Sequence, residues 1–153
     1  MDRKRGMAKN RGMPWSIPED EKFFTDQTKT HGGHVLTGGA TFRDAYKNKP
    51  LAGRHNYILT RHPDPIEGAE VINDLEKFLA EFKEDLWVSG GAAVFEQVMA
   101  LGRADELYIT HIDADFGCDQ FFPEYEGFEL VSESEPREQN GFHFKYAVYK
   151  KAT

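Results

Sequence analysis

A carboxylate beside two aromatic residues is the pattern in this sequence most suited to chemistry. Asp20, Phe23 and Phe24 stand three and four residues apart, which places them on one face of a predicted helix. Burial of a carboxylate costs free energy unless the group is hydrogen-bonded or neutralised. Asp20 is therefore either an ordinary acid in a first helical turn, where the macrodipole favours it, or the acid of an apolar pocket that holds a polar, protonatable ring.

The residues ahead of Asp20 predict where its helix begins. Pro14 and Pro18 fix the backbone on either side of Trp15. Ser16 and Glu19 have the spacing of a capping box, so we predict a helix with Ser16 as its N-cap.

Length, charge and composition restrict the class of protein. The chain has 153 residues, a net charge of −7 and 39% hydrophobic residues, which predicts one globular domain over residues 1–153. The negative charge argues against a nucleic-acid or anionic-membrane partner, and no apolar run is long enough for a membrane span. A single cysteine, Cys118, suits a cytoplasmic protein, and the scattered histidines predict no metal site.

Three loops that follow predicted strands are suited to an anion. Strand 34–37 leads into glycines 38–39, strand 55–60 into a rigid loop at 61–65, and strand 86–89 into Gly90-Gly91 and a helix over 94–101. Each loop alone could be a plain turn, although glycines before a helix let backbone N–H groups approach a phosphate. Ligands of parallel sheets bind at the carboxyl ends of strands, so together the loops favour a dinucleotide.

The remaining segments complete an α/β pattern. We predict strands at 69–72, 106–112, 128–133 and 142–148, a helix capped by Asn73 or Asp74, and a helical turn over 42–46. Residues 1–11 form a basic segment with no strand pattern. The expected fold is a single α/β domain with a mostly parallel central sheet, flanking helices and a C-terminal antiparallel hairpin that turns at 139–141.

Five stretches carry a resemblance to a known family. They are MPWSIPEDEKFF (13–24), TGGATF (37–42), PLAGRHNYILTR (50–61), VSGGAAVFEQ (88–97) and LYITHIDADFGCDQFFP (107–123). Each is loose alone, but this order and these spacings are hard to obtain by chance. The chain resembles bacterial-type dihydrofolate reductases over nearly its whole length. The resemblance implies reduction of 7,8-dihydrofolate to 5,6,7,8-tetrahydrofolate by hydride transfer from NADPH.

The resemblance assigns roles on the substrate side. Asp20 matches the acid that anchors the pterin and favours protonation at N5. Thr110 matches the residue that supports this acid through a hydrogen bond, and Trp15 matches the residue that holds an ordered water. The matching substrate-binding positions are Phe24, Leu51, Glu21 and Arg54, the last of which would take the glutamate carboxylate of the substrate.

The resemblance also assigns a cofactor side. The matching cofactor-binding positions are Met13, Gly39, Ala40, Thr41, Thr60, Arg61, His62, Ser89, Gly90, Gly91, Ala92, Ala93, Val94 and Phe95. In the family the two glycines at 90 and 91 are joined by a cis peptide. Met13 and the residues before it match a mobile loop over the nicotinamide, and Asp119 matches a residue that latches this loop.

Departures from the family pattern keep alternatives open. The family begins with an apolar strand of roughly ten residues before the position of Asp2, which this chain lacks. We expect a truncated start or another segment in its place, and a monomer that self-associates if the strand is truly absent, because exposed strand edges pair. One alternative is a non-catalytic NADP-binding remnant of the fold. Another is a pyrimidine reductase of riboflavin synthesis, which should not need Arg54 or the segment around Asp20.

Overall fold

The computed structural model describes residues 1–152, and the chain divides into two units. The first unit is Met1–Glu21 with the chain from Val98 onward, and the second is Lys22–Gln97. In chain order the elements are β1 (Gly6–Ala8), α1 (Pro18–Thr28), β2 (His34–Gly38), α2 (Gly39–Asp44), β3 (His55–Leu59), β4 (Ala69–Ile72), α3 (Leu75–Glu81), β5 (Trp87–Gly90), α4 (Ala92–Ala100), β6 (Glu106–Ile112), β7 (Gln120–Phe121), β8 (Phe128–Glu133), β9 (Arg137–Gln139) and β10 (Phe142–Lys151). The expectation of one domain over 1–153 stays a prediction.

A parallel sheet organises the second unit. Its strand order is β4-β3-β2-β5, and each neighbouring pair is parallel. The central strand β2 is buried along its whole length, with Val35 and Leu36 fully inaccessible. Burial on both faces removes the need for alternation, which is why this strand carries consecutive apolar residues. The predicted α/β class with a parallel sheet is confirmed.

Antiparallel strands organise the first unit. β10 lies between β6 and β8, β9 joins β10 through the turn at Asn140-Gly141, and β1 pairs with β7. Ile17, Ile112 and Phe144 form a buried cluster in this unit. The predicted antiparallel ending is confirmed, and its last strand runs to Lys151 rather than to residue 148.

The prediction that residues 1–11 lack strand structure is wrong. Residues 6–8 form β1, in which Gly6 pairs with Phe121 and Ala8 with Gln120. The basic side chains favoured a solvated segment in the sequence. They form ion pairs with acids at the surface, while the backbone of β1 pairs with β7. Arg3 lies 3.0 Å from Asp113, and Lys4 makes a similar ion pair.

The predicted N-cap at Ser16 is also wrong. The carbonyl of Ile17 accepts the N–H groups of Asp20 at 2.9 Å and Glu21 at 3.1 Å, so Ile17 occupies the N-cap position. Pro18 is then the first helical residue, where a proline is favoured because its missing N–H needs no partner. This shift places Asp20 at the third helical position.

Other helix starts differ from the prediction by a few residues. α2 begins at Gly39 rather than 42, and α4 begins at Ala92 rather than 94, so both helices follow their strands almost directly. Asp74 caps α3 by accepting the Lys77 N–H at 3.1 Å, which confirms one of the two predicted caps. Within residues 1–152 no helix is both long and apolar enough to cross a membrane.

Candidate functional site

In the first unit, Asp20 is bound to Thr110. Thr110 Oγ1 on β6 donates a hydrogen bond of 2.6 Å to Asp20 Oδ1 in the first turn of α1. Both residues are half-buried. The antiparallel register of β6 and β10 sets Tyr146 opposite Thr110. We call Asp20, Thr110 and Tyr146 the acid centre.

The surroundings of the acid centre favour neutral groups. Burial raises the pKa of the Asp20 carboxyl above its ordinary value, and the hydrogen bond from Thr110 opposes this shift without cancelling it. Burial, with the negative charges of Glu19 and Asp20, raises the pKa of Tyr146 to about 12, so its hydroxyl stays protonated at neutral pH. A carboxylate in such a place binds a cationic or proton-donating ring more strongly than it would in water.

Contacts from the β9–β10 hairpin hold the start of α1. Arg137 donates to the Glu19 carboxylate at 2.6 Å, and Gln139 Oε1 accepts the Glu19 N–H at 2.7 Å. Asn140 Nδ2 donates to the Ser16 carbonyl at 3.0 Å. These three hairpin residues fix the turn that presents Asp20. Sequence reasoning missed them, because a long-range side-chain contact leaves no periodic signal.

Trp15 packs beside the same turn. It lies against the cluster of Ile17, Ile112 and Phe144, and its ring is 5.3 Å from that of Phe116. Glu21, one helical residue after Asp20, is exposed. Of the predicted residues in this unit, the structure thus joins Asp20 directly to Thr110 and sets Trp15 in the apolar cluster.

In the second unit, three glycines make a close approach possible. A Cβ on Gly38 would lie 2.7 Å from Val94 Cγ2, and a Cβ on Gly91 would lie 2.9 Å from Thr41 Oγ1. Gly90 has φ of +121°, which strongly favours glycine, and the Gly90–Gly91 peptide is cis, as the resemblance implied. We call Gly38, Gly90, Gly91, Thr41 and Val94 the glycine cradle.

The glycine cradle stands where helix N-termini follow strands. α4 begins at Ala92, and the Gly91 carbonyl accepts the N–H groups of Val94 and Phe95. The first N–H groups of a helix have no partner within it, so the backbone at Ala92 and Ala93 is suited to an anion. α2 likewise follows β2 directly, with half-buried Gly39, exposed Ala40 and half-buried Thr41 in its first turn.

A chain of hydroxyl groups supports the last residue before the cradle. Ser89 Oγ lies 2.8 Å from Thr37 Oγ1, and the Tyr46 hydroxyl donates to Ser89 Oγ at 3.2 Å. Ser89 was predicted from the resemblance, whereas Thr37 and Tyr46 were not. Polar residues inside a buried strand were the available signal for Thr37.

A buried asparagine shapes the turn that carries Leu51 and Arg54. Asn56 accepts the Leu51 N–H at 2.8 Å and donates to the carbonyls of Leu51 and Arg54. Arg54 Nη1 donates to Thr28 Oγ1 at 2.8 Å, and its Nε donates to the Ala52 carbonyl. A guanidinium has five N–H donors, so these two bonds orient Arg54 and leave donors for a carboxylate. The predicted Phe24 is half-buried on α1.

The loop after β3 is hydrogen-bonded to the residue that follows β4. Asn73 Nδ2 donates to the Thr60 carbonyl at 2.7 Å, and Thr60 Oγ1 accepts the His62 N–H at 3.1 Å. Arg61 and His62 are both exposed. Asn73 was considered only as a helix cap, yet its position after a neighbouring parallel strand was a sign that it could reach this loop.

The predicted loop latch makes a direct contact in the first unit. Asp119 Oδ2 accepts the Asn10 N–H at 2.9 Å, and the Asp119 N–H donates to the Ala8 carbonyl at the same distance. Met13, a few residues further along, is 59% exposed. Among the described residues, no three His, Cys, Asp or Glu side chains are grouped to hold a metal ion.

Comparison with known proteins gives a consistent family. The family model described as dihydrofolate reductase matches residues 1–151. A dihydrofolate reductase of Bacillus subtilis (strain 168) is 30% identical over 158 residues, covering 99% of this chain and 90% of that protein. One from Drosophila melanogaster is 33% identical over 159 residues, covering 91% of this chain and 87% of that protein.

A solved structure agrees with these relatives. The dihydrofolate reductase from Enterococcus faecalis, complexed with NADP(H) and RAB-propyl, matches with a TM-score of 0.85 and 29% identity. The match covers 100% of this chain and 93% of that one. Sequence and fold therefore lead to one conclusion: this chain belongs to the dihydrofolate reductase family.

Proposed function

We propose that the chain reduces 7,8-dihydrofolate to 5,6,7,8-tetrahydrofolate with NADPH. The observation that carries the proposal is the 2.6 Å hydrogen bond from Thr110 to the half-buried Asp20 carboxyl, in a chain of this family. The reaction adds a hydride to C6 and a proton to N5 of the pterin, and converts NADPH to NADP⁺. The free thiol of Cys118 suits a cytoplasmic location for such an enzyme.

Asp20 has the properties needed to hold the pterin. Thr110 occupies one oxygen of its carboxyl and fixes its orientation. The other oxygen can accept from the N3 and 2-amino groups of the pterin, which are adjacent donors. Because the site is partly desolvated, a negative Asp20 favours the ring protonated at N5. Trp15 would orient the water that delivers this proton.

The glycine cradle fits a dinucleotide cofactor on structural grounds. Side chains at Gly38 or Gly91 would collide with Val94 or Thr41, so the close packing of β2, α2 and the start of α4 requires glycine there. The first N–H groups of α4 then supply donors for a pyrophosphate. NADPH supplies the hydride when bound. Arg61, His62 and Thr60 would hold the adenosine 2′-phosphate, and Met13 would cover the nicotinamide, with Asp119 as the latch of its loop.

The substrate tail would be read by the turn after α2. Arg54, oriented by Thr28, is shaped to take the glutamate α-carboxylate in a bidentate contact. Leu51 and Phe24 offer apolar surface for the benzoyl ring, and Glu21 lies one turn before Phe24 on α1. This carboxylate recognition favours a folate over a pyrimidine substrate.

Absorbance-monitored oxidation of NADPH by the purified chain tests the proposal. We expect oxidation that depends on dihydrofolate and is abolished by an antifolate. Binding of NADPH, measured by quenching of protein fluorescence, without any turnover would overturn the proposed reaction in favour of a cofactor-binding remnant. Oxidation with a pyrimidine substrate and none with dihydrofolate would favour the riboflavin-pathway reductase.

A further inference from the structure

Asp2 is a buried carboxylate that joins two segments of the first unit. The residue is only 2% exposed to solvent. Oδ1 accepts the N–H groups of Lys4 at 2.9 Å and Gly6 at 2.7 Å, within its own segment. Oδ2 accepts the Phe116 N–H at 3.1 Å and the Cys118 thiol at 3.5 Å, in the segment before β7. Each oxygen of one carboxylate thus serves a different segment.

The contact around Asp2 is too tight for a side chain at Gly6. A Cβ there would lie 2.6 Å from Cβ and Sγ of Cys118 and 2.7 Å from Asp2 Oδ2. The close approach of the two segments therefore depends on both the carboxylate and the glycine. We call Asp2, Gly6, Phe116 and Cys118 the loop anchor.

The exposed loop at residues 9–13 combines its own hydrogen bonds with contacts from Asp119. Two of its residues, Asn10 and Arg11, have positive φ of 51° and 66°. Left-handed backbone is unfavourable for arginine. The loop offsets part of this cost itself, because the N–H groups of Lys9 and Gly12 each donate to the other residue's carbonyl. Further contacts come from the residue that follows Cys118: the Asp119 N–H donates to the Ala8 carbonyl, and Asp119 Oδ2 accepts the Asn10 N–H.

We propose that Asp2 is a positioning residue that orders the exposed loop at residues 9–13. By fixing residues 116–118 against Gly6, it sets the place from which Asp119 holds the loop. Four donors of the protein already bind the Asp2 carboxylate, so Asp2 acts through the loop rather than on a ligand. Its effect on turnover rests on the proposed function, because it acts through the coverage of the cofactor by Met13, whereas its effect on loop order does not.

Limited proteolysis of the full chain reads loop order without any turnover. Lys9 and Arg11 are exposed trypsin sites inside the loop, and cleavage after Lys47 in the second unit serves as the internal reference. In Asp2→Asn, the amide places donors where N–H groups now point, so we expect cleavage after Lys9 and Arg11 to accelerate about tenfold relative to the reference. Asp105→Asn is the matched control: this acid of the first unit is exposed and lies outside the loop anchor, so cleavage should stay at the wild-type rate.

A second variant keeps the carboxylate and breaks the contact sterically. Gly6→Ala should accelerate the same two cleavages, and in both variants the KM for NADPH should rise more than kcat falls. Unchanged cleavage in folded Asp2→Asn and Gly6→Ala would overturn the proposal. So would global unfolding of both variants, since Asp2 would then support the whole unit rather than the loop. Faster cleavage in the two variants, together with a wild-type chain that lacks turnover, would support the loop anchor and reject only the proposed function.

Discussion

Asp2 and Asp20 are two carboxylates of one unit that are at least partly buried, and their surroundings shift their pKa values in opposite directions. Asp2 accepts four donors, and these hydrogen bonds outweigh the effect of burial, so its pKa is lowered. For Asp20 burial dominates over the hydrogen bond from Thr110, so its pKa is raised. The number of hydrogen-bond donors, rather than burial alone, decides whether the pKa of a buried carboxyl group is lowered or raised.

The difference in pKa separates a carboxylate that stabilises the fold from one that is suited to bind a ligand. A carboxylate whose acceptor sites are filled by backbone N–H groups has nothing left to offer a ligand, and it stabilises the fold. A carboxylate whose hydrogen bonds do not offset the cost of its desolvation is stabilised most when a ligand supplies further donors. A buried acid that the folded protein supplies with few hydrogen-bond donors is therefore the better candidate for a functional residue.

The largest expected effect is the loss of turnover in Asp20→Asn. An amide cannot supply the negative charge that favours the protonated pterin, so we expect kcat for dihydrofolate to fall by about 100-fold or more. Since ionised Asp20 is disfavoured by the fold, the free energy of unfolding at pH 7 should be unchanged or higher. Asp26→Asn, which changes an exposed acid of the same helix, is the control and should turn over normally.

Asp2→Asn should show the reverse pattern for stability. We expect the free energy of unfolding at pH 7 to fall by about 1–3 kcal/mol, because buried donors lose their acceptor. A lowered folded pKa means that Asp2 stabilises the protein above its ordinary pKa of 3.8, and that this contribution is lost as the pH falls through the folded pKa. Urea unfolding of wild type and variant across pH should therefore converge in strong acid. A constant difference at every pH would contradict the ionic role of Asp2.

Thr110→Val removes the hydrogen bond that opposes the raised pKa of Asp20 most strongly. Without that donor the pKa of Asp20 rises further, so the acid limb of the pH–turnover profile should move to higher pH and kcat at pH 7 should fall about tenfold. Thr110→Ser keeps the hydroxyl and should restore the wild-type profile. A loss of activity with no movement of the profile would mean that Thr110 acts only by packing.

Glu19→Gln should produce the smallest effect, in the opposite direction. The negative charge of Glu19 adds to the raised pKa of Asp20. Removing it lowers the pKa of Asp20, so the acid limb should move slightly to lower pH. Since Arg137 pairs with Glu19, the combined change Glu19→Gln with Arg137→Gln controls for the lost ion pair and should shift the profile in the same direction.

Asp20 and the strands around it follow from local patterns, whereas Asp2 does not. Helical spacing placed Asp20 beside aromatic residues, and apolar runs placed the strands of the parallel sheet. The role of Asp2 depends on N–H groups more than a hundred positions away, such as that of Phe116. The basic side chains near it indicated a solvated arm, and no sequence pattern reports a backbone partner that distant in the chain. The start of α1 was missed for a local reason, since Pro18 at the first helical position outweighed the capping box at Ser16.

The comparison is tested most directly by measuring both carboxyl pKa values in one experiment. A carbon-detected NMR titration of the aspartate side-chain carboxyls, assigned with Asp2→Asn and Asp20→Asn, gives both in the folded protein. We predict that Asp20 titrates above 3.8 and Asp2 below it. Titration of both groups on the same side of that value, or in the reverse order, would contradict the account.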